Sequence, residues 1–212
     1  MTNEPTAQSQ QYFTSQPGGE PTTRQFTFEG PRGPLTLTTG SGVFSQHGLD
    51  KGTSVLLQAM KRFPLPDPGA ASHLLDLGCG TGALGLVLAA QHPQCFVHAI
   101  DINERALSLC RENASANSLK NITVSLPSEV DSEIRFERIW SNPPIRIGKD
   151  ALHELLLTWL QRLTPSGRAC FVVNKNLGGD SLAKWFSDNR YPVQKLKSSN
   201  GFRVLVVSPQ EN

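Results

Sequence analysis

From residue 71 onward the sequence alternates between short apolar runs with strand character and longer runs with helix character. This alternation is typical of βαβ units, which build a mostly parallel sheet covered by helices on both faces. The last two strand-like runs, VQKLKS and FRVLVVS, have only SNG between them. Because so short a gap leaves no room for a helical crossover, the final strand is predicted to run antiparallel. The fold class is therefore α/β.

The segment ahead of this core predicts an N-terminal extension. RQFTFEGPRGPLTLTTG contains two alternating runs around Gly-Pro-Arg-Gly-Pro, which predicts a β-hairpin. SGVFSQHGLD predicts a loop, and KGTSVLLQAMKRF predicts an amphipathic helix that ends before Pro64. Residues 1–11 are polar and predict a disordered tail. The 212 residues suit one domain at 12–212, with hairpin, loop and helix in 12–70 and the core in 71–212.

Composition narrows the class of protein. The N-terminus lacks the apolar segment of a signal peptide, and no apolar run approaches the ~18 residues of a membrane span, so a cytoplasmic protein is expected. The four cysteines show neither C-x-x-C spacing nor a histidine cluster, so neither a metal site nor a disulfide framework is predicted. Residues 141–212 carry ten basic and five acidic residues, which suits a solvated surface or a nucleic-acid partner.

A glycine-rich loop, within LLDLGCGTGALG, joins the first strand of the core to its helix. Gly78, Gly80 and Gly82 allow a tight turn and a close approach of a ligand to the backbone. Gly80, Gly82 and Gly85 also satisfy G-x-G-x-x-G, so a dinucleotide is one candidate ligand. Asp101, at the end of the next strand, is placed to bind ribose hydroxyls, which a dinucleotide and S-adenosylmethionine both have.

Asp76 separates these two candidates. It stands two residues before the first glycine, at the mouth of the loop. A pyrophosphate needs bare N–H groups and a helix N-terminus there, without a carboxylate nearby. S-adenosylmethionine has no phosphate and carries a sulfonium and an α-ammonium, both of which a carboxylate attracts. DLGCGTG therefore looks like the first motif of class I methyltransferases, with S-adenosylmethionine as the cofactor.

The stretch SNPPIRIGK follows the strand-like run FERIW and carries two consecutive prolines. A plain turn would account for it, since proline ends strands. The prolines also fix two φ angles, which predicts a stiff extended corner with the Asn142 side-chain oxygen and the Pro143 carbonyl as acceptors for an exocyclic –NH₂. The stretch resembles the catalytic [NDS]-P-P-[YFW] motif of class I amino methyltransferases, except that Ile145 replaces the aromatic residue.

Six stretches together resemble one family more closely. YFTSQPGGE, SGVFSQHGLDKGT, LLDLGCGTGALG, AIDINERAL, SNPPIRIGK and GFRVLVV occur in the order, and at about the spacing, of the small-subunit ribosomal RNA guanine-N2 methyltransferases. The chain resembles the short form of that family over residues 12–207. The resemblance implies a seven-stranded Rossmann-like sheet with an antiparallel last strand, S-adenosylmethionine as donor, and guanine N2 in 16S ribosomal RNA as acceptor. Ribosomal RNA or the small ribosomal subunit is the implied partner.

The same resemblance assigns the site residues. The cofactor set it implies is Asp76, Gly78, Cys79, Gly80, Gly82, Asp101, Ile102 and Asn142, with Asp101 on the ribose and Ile102 against adenine. The catalytic set is Asn142, Pro143, Pro144 and Ile145. The substrate set is Phe44, Arg146, Lys149 and Arg203. Phe44 would act as a lid or as a core aromatic, and the three cations would contact phosphates or be ordinary surface charges.

Two alternatives to this function remain open from the sequence. One is amino methylation of another substrate, either a protein glutamine or adenine N6. The other is a catalytically silent RNA-binding module on the same fold, which the intact cofactor motif argues against.

Overall fold

The structure is a computed structural model that describes residues 23–41, 43, 48–196 and 199–210. The predicted tail at 1–11 and the predicted substrate residue Phe44 lie outside the described residues. None of the described helices is long and apolar enough to cross a membrane.

A two-stranded antiparallel hairpin precedes the core, as the sequence predicts. It consists of β1 (Thr23–Gly30) and β2 (Gly33–Gly40). Gly33 closes the turn with a φ of 117°, a left-handed conformation that glycine adopts without steric cost. On β2, Leu35 and Leu37 are buried while the residues between them are more exposed, which gives the hairpin one apolar face toward the core.

The core is a seven-stranded sheet with the order β5-β4-β3-β6-β7-β9-β8. Its strands are β3 (His73–Leu77), β4 (Phe96–Ile100), β5 (Ile122–Ser125), β6 (Phe136–Ser141), β7 (Leu163–Asn174), β8 (Val193–Lys195) and β9 (Phe202–Val207). The pairs from β5 through β7 are parallel, and β9 runs antiparallel to both β7 and β8. This confirms the predicted fold, including the antiparallel last strand.

Five α-helices accompany the strands within the described residues. They are α1 (Lys51–Arg62), α2 (Ala83–Gln91), α3 (Glu104–Ala116), α4 (Lys149–Leu160) and α5 (Gly179–Asp188). Asn103 caps α3 by accepting hydrogen bonds from the backbone N–H groups of Arg105 and Ala106, as expected for a residue of this type. Asp50 caps α1 in the same way, since its Oδ2 accepts from Thr53 N at 3.0 Å.

Helices cover both faces of the sheet, and successive strand residues point to opposite cores. Leu74 belongs to a cluster that contains α1, α2 and the hairpin, while Leu75 belongs to a cluster that contains α4 and α5. Both leucines are 0% exposed. Burial on both faces explains why the strands are continuously apolar, as in HLLDL, and not alternating.

Two asparagines of α3 hold the outer edge of β2. Asn113 accepts from Thr38 N at 2.7 Å and donates to Thr38 O at 2.9 Å. Asn117 accepts from Thr36 N at 2.8 Å and donates to Thr36 O at 2.7 Å. The spacings match, because two strand residues rise about 6.6 Å and four helix residues about 6 Å. This asparagine clamp, formed by Asn113 and Asn117, gives hydrogen-bond partners to the backbone N–H and C=O groups of Thr36 and Thr38, as a third strand would.

We expect the two halves of the clamp to contribute unequally to stability. Asn113 is 1% exposed and also donates to Thr81 O at 2.9 Å, so Asn113→Ala would leave buried backbone groups without partners. The free energy of unfolding should fall by about 2–3 kcal/mol, measured by urea denaturation. Asn117 is more exposed, so water can replace its bonds, and Asn117→Ala should cost about 1 kcal/mol or less. Equal losses in the free energy of unfolding for the two variants would contradict this unequal contribution.

Candidate active site

The glycine loop between β3 and α2 uses most of its own N–H groups internally. Gly78 N and Cys79 N both donate to Ile100 O at 2.9 Å. Gly80 N donates to Asp101 Oδ2 at 2.9 Å, and Gly82 N to Cys79 O at 2.8 Å. A pyrophosphate needs such groups unpaired. The loop therefore disfavours a dinucleotide for a second reason, besides the nearby Asp76 carboxylate.

The three glycines of the loop serve two different purposes. Gly78 and Gly80 have φ angles of 70° and 53° with open space where a Cβ would stand, so they keep the backbone accessible. Gly82 has a φ of 93° and caps α2, and a Cβ there would lie 2.5 Å from Cys110 Sγ. Gly82 is thus required for packing of the loop against α3, and it does not line the adjacent cleft.

Asp76 is buried with one oxygen unsatisfied. Its Oδ2 accepts from Gly85 N at 2.7 Å, whereas its Oδ1 has no hydrogen-bond partner in the described part of the chain. Burial raises the pKa of Asp76 to about 7, which the Gly85 bond opposes. A buried acceptor without a partner at the wall of a cleft suits a cationic ligand group.

Asp101 joins the glycine loop to the end of β4. Its Oδ1 accepts from Asn103 N at 2.9 Å while its Oδ2 holds Gly80 N, and each oxygen retains a further lone pair. Burial raises the pKa of Asp101, and the backbone hydrogen bonds oppose that shift. Next to it Ile102 is 52% exposed, an apolar surface at the cleft that suits a flat aromatic ring.

The Asn-Pro-Pro corner is tighter than the sequence predicts. Pro144 has φ −75° and ψ 73°, and Ile145 N donates to Pro143 O at 2.8 Å. These values define an inverse γ-turn, which a 3₁₀ turn over Ile145–Ile147 continues. The expected extended corner is therefore wrong, because proline fixes φ but leaves ψ to the tertiary structure. The Pro143 carbonyl has one lone pair left beyond its bond to Ile145.

The Asn142 side chain is held from the N-terminal extension. Its Nδ2 donates to Asp50 Oδ2 at 2.6 Å and lies 3.4 Å from Thr53 Oγ1. These contacts use the amide nitrogen and leave Oδ1 as the acceptor of that side chain. Asp50 and Thr53 belong to the N-terminus of α1, so a helix outside the βαβ core completes the site.

One cleft of about 840 Å³ contains both motifs. Of the predicted cofactor residues, those that line it are Asp76, Gly78, Cys79, Gly80, Asp101 and Ile102. The predicted catalytic residues Asn142, Pro143, Pro144 and Ile145 line it as well. All of these lie at the carboxyl edge of the parallel strands, where ligands bind in open α/β sheets.

The three predicted phosphate-contacting cations differ in position. Arg146 is exposed and lines the cleft, whereas Lys149 is exposed but lies outside its lining. Arg203 points to the α5 side, where its guanidinium donates to Asp180, and Lys195 Nζ lies 3.5 Å from the same carboxylate. Arg203 is therefore already ion-paired within the protein, although it shares the Asp180 carboxylate with Lys195.

Sequence reasoning gave no role to four residues that shape the acceptor end of the cleft. Asp50 and Thr53 bind Asn142, and Gly52 lies between them. Phe202, at the start of β9, is the one aromatic residue among the described residues that line the cleft. The signal at Asp50 was ambiguous, because an aspartate before a helix is already explained as an N-cap. Within the described residues, no group of three or more metal-ligating side chains is present.

Comparison with known proteins identifies the family. The model of the methyltransferase small domain matches residues 34–206. The chain belongs to this methyltransferase family. The match confirms the predicted cofactor, S-adenosylmethionine, and the relationship to the ribosomal RNA methyltransferases that the motifs indicated.

Individual relatives differ in length. The methyltransferase is 31% identical over 200 residues to the uncharacterized protein YbxB of Bacillus subtilis, covering 93% of this chain and 97% of YbxB. It is 34% identical over 178 residues to ribosomal RNA small subunit methyltransferase C of Psychromonas ingrahamii, covering 81% of this chain and 48% of that protein. The chain thus spans about half the length of its ribosomal RNA methyltransferase relatives.

A solved structure supports the same relationship. The 16S rRNA N2 G1207 methyltransferase RsmC of T. thermophilus, in complex with AdoMet and guanosine, superposes with a TM-score of 0.73 and 26% identity. The match covers 89% of this chain and 51% of that chain.

The chemistry of the cleft fits S-adenosylmethionine. The unsatisfied Asp76 oxygen suits the cationic amino-acid end, the remaining Asp101 lone pairs suit ribose hydroxyls, and the exposed Ile102 suits adenine. When bound, the cofactor supplies a methyl group activated by a sulfonium. These three residues and the Asn-Pro-Pro corner line the same cleft.

We expect cofactor affinity to depend on pH through Asp76. Its pKa of about 7 means that the ligand-free protein increasingly holds a proton as the pH falls below 7. A cationic ligand group favours the ionised carboxylate, so affinity should be full above pH 7 and fall by up to about tenfold per pH unit below it. Calorimetry with S-adenosylhomocysteine at pH 6, 7 and 8 measures this. Asp76→Asn, the control, should bind more weakly with no such slope, and a pH-independent wild type would contradict the assignment.

Proposed function

We propose that this methyltransferase transfers the methyl group of S-adenosylmethionine to the exocyclic N2 amine of a guanine in 16S ribosomal RNA. The observation that carries the proposal is the pair of acceptors at the catalytic corner. Asn142 Oδ1 and the Pro143 carbonyl each have capacity to accept one hydrogen of an –NH₂ group. The same cleft contains the cofactor residues, so donor and acceptor sites adjoin.

Positioning of the amine is the main chemical task of these residues. An aromatic amine nitrogen is conjugated and is a poor nucleophile, and two acceptors that hold its hydrogens favour a lone pair directed at the methyl group. No strong base is required, because the leaving group is already activated. No histidine occurs among the described residues that line the cleft, which agrees with catalysis by orientation and electrostatics.

Phe202 provides an aromatic surface to the cleft. In the usual motif that surface comes from an aromatic residue at the position of Ile145. Ile145 offers apolar contact but no π-stacking for an extruded base. The Phe202 ring edge lies 3.1 Å from where a Cβ on Gly52 would stand, a point that Asp50 and Asn142 also approach. Stacking of a base on an aromatic side chain contributes about 1–3 kcal/mol. The cleft thus combines an aromatic residue with amine acceptors, which suits a nucleobase. The proposed substrate is ribosomal RNA, so the proposed place of action is the cytoplasm.

The assignment of the substrate draws on the relatives as well. The T. thermophilus structure contains guanosine, and the Psychromonas protein is named for small subunit ribosomal RNA. Both are about twice as long as the matched region, and the site described above lies within that region. The acceptor pair would also suit adenine N6 or a glutamine amide. These alternatives become outcomes of the following test.

We expect Asn142→Ala to abolish the modification without loss of the cofactor. Methylguanosines in 16S RNA are mapped by mass spectrometry in cells that lack the protein and in cells complemented with wild type or variant. One N2-methylguanosine should disappear, return with the wild type, and stay absent with the variant. In vitro the variant should lose on the order of 10²-fold in single-turnover rate, while its S-adenosylhomocysteine affinity changes far less. Unaltered guanosines, with methylated glutamine or adenine instead, would reassign the substrate.

We expect Arg146 and Lys149 to contact phosphates of the RNA. Both are exposed next to the catalytic corner, and neither has an ion pair within the described residues. Replacing both with alanine should weaken RNA binding and lower the salt slope by about 0.7 per lost single-strand phosphate contact. Lys61 and Arg62, exposed at the far end of α1, form the matched control pair and should leave the slope unchanged. Equal effects of the two pairs would remove this surface from the RNA interface.

A further inference from the structure

The amide of Asn142 can present either of two opposite groups to the substrate. Rotation of the amide by about 180° exchanges its oxygen with its nitrogen at little change in shape. With the oxygen toward the cleft, it accepts a hydrogen from an amine. With the nitrogen toward the cleft, two donors face each other and the amine is repelled. The proposed function therefore requires something that fixes this rotation.

Asp50 provides that constraint. Its Oδ2 accepts from Asn142 Nδ2 at 2.6 Å, a short hydrogen bond to an ionised acceptor. The rotated amide would turn its oxygen toward a carboxylate, which replaces an attraction with a repulsion. Because the Asp50 acceptor is anionic, it also polarises the amide and strengthens Asn142 Oδ1 as an acceptor.

Asp50 is itself held rigidly by the start of α1. The same Oδ2 accepts from Thr53 N at 3.0 Å, so one oxygen serves both as N-cap and as partner of Asn142. The helix behind it is anchored by Leu56, which is 0% exposed in the core. The Asn142 side chain is therefore oriented by an element that the core packing fixes in place.

Gly52 permits the close approach of these groups. A Cβ at this position would lie 2.9 Å from Asp50 Oδ2, 3.2 Å from Asn142 Nδ2 and 3.1 Å from Phe202 Cε1. The glycine is in the first turn of α1, where alanine would otherwise favour the helix. Its lack of a side chain is explained by the space that the Asp50–Asn142 pair occupies.

We infer that Asp50 is a positioning residue that orients the Asn142 amide, so that its oxygen accepts a hydrogen from the substrate amine. The inference rests on the proposed function, since it gives Asn142 the role of amine acceptor. It adds to that function a residue about ninety positions away, which ties the N-terminal extension to the chemistry.

Two substitutions of Asp50 separate orientation from capping. Serine and asparagine both cap helices well, so Asp50→Ser and Asp50→Asn should preserve the stability of α1. Serine is too short to reach Asn142, and Asp50→Ser should lower the single-turnover methyl-transfer rate by about 10- to 100-fold. Asparagine keeps an oxygen in the same place, and Asp50→Asn should retain most of the rate. S-adenosylhomocysteine affinity should be unaltered in both, and equal rates for the two variants would overturn the inference.

An exchange of the two side chains tests the pairing directly. Asn142→Asp alone places a second carboxylate against Asp50 and should reduce the rate most. Combined with Asp50→Asn, the introduced amide can keep its oxygen on Thr53 N and turn its nitrogen toward the new carboxylate, so that the hydrogen bond re-forms in the opposite sense. The carboxylate introduced at the catalytic corner would again present an oxygen to the amine. The double variant should recover at least about tenfold over Asn142→Asp, as expected for two coupled neighbours. A double variant no faster than Asn142→Asp would overturn the inference.

Gly52→Ala gives a readout that a purely structural role would not produce. The substitution should crowd the Asp50–Asn142 pair and lower the methyl-transfer rate, while the gain in helix propensity offsets part of any loss of stability at the crowded N-cap. Side-chain amide signals of protein labelled with ¹⁵N-asparagine should show the Asn142 resonance shifted most in Asp50→Ser and Gly52→Ala, and less in Asp50→Asn, which keeps the hydrogen bond but loses the charge of the acceptor. An Asn142 signal that is the same in all variants would contradict the inference.

The substrate assays distinguish this inference from the proposed function. They use small ribosomal subunits, and 16S RNA extracted from them, from cells that lack the protein. If the wild type methylates neither, the proposed function fails, whatever the amide signals show. If the wild type is active and the Asp50→Ser and Asp50→Asn variants have equal rates, only the inference on Asp50 fails.

Discussion

The parallel pairing of β3 with β6 is the constraint on which the site depends. In this register Asp76 lies opposite Trp140, so the two strands end side by side at the carboxyl edge. Ser141 Oγ donates to Leu77 O at 2.7 Å in a fully buried position and ties the two strand ends together. The glycine loop continues from one strand and the Asn-Pro-Pro corner from the other. A register shift would separate the cofactor residues from the amine acceptors, whatever their sequences.

The N-terminal extension is part of the catalytic unit and not an appendage. The hairpin contributes Leu37 to the cleft wall, and α1 contributes Asp50 and Thr53. The asparagine clamp fixes β2 on α3, while α3 in turn packs Cys110 against the glycine loop. Cofactor loop, hairpin and catalytic corner are thereby connected through buried contacts.

Much of this arrangement could be predicted from the sequence, because local signals determine it. Strand and helix alternation predicts the sheet, and Asp76 in the glycine loop predicts the type of cofactor. The ψ angle of Pro144 could not be predicted, since the ring fixes only φ. The contacts of Arg203 with Asp180 and of Asn142 with Asp50 could not be predicted either, because each joins residues that come together only in the folded sheet. Asp50 already had a sufficient local explanation as an N-cap.

The position of β9 within the sheet affects the order of folding. This strand comes after the other described strands in the sequence, yet it lies between β7 and β8, and in the described structure β8 pairs with β9 alone. Neither β8 nor the Phe202 side of the cleft can assemble until the final segment inserts. During synthesis on the ribosome, the chain therefore completes its catalytic cleft only after nearly all its other elements have formed.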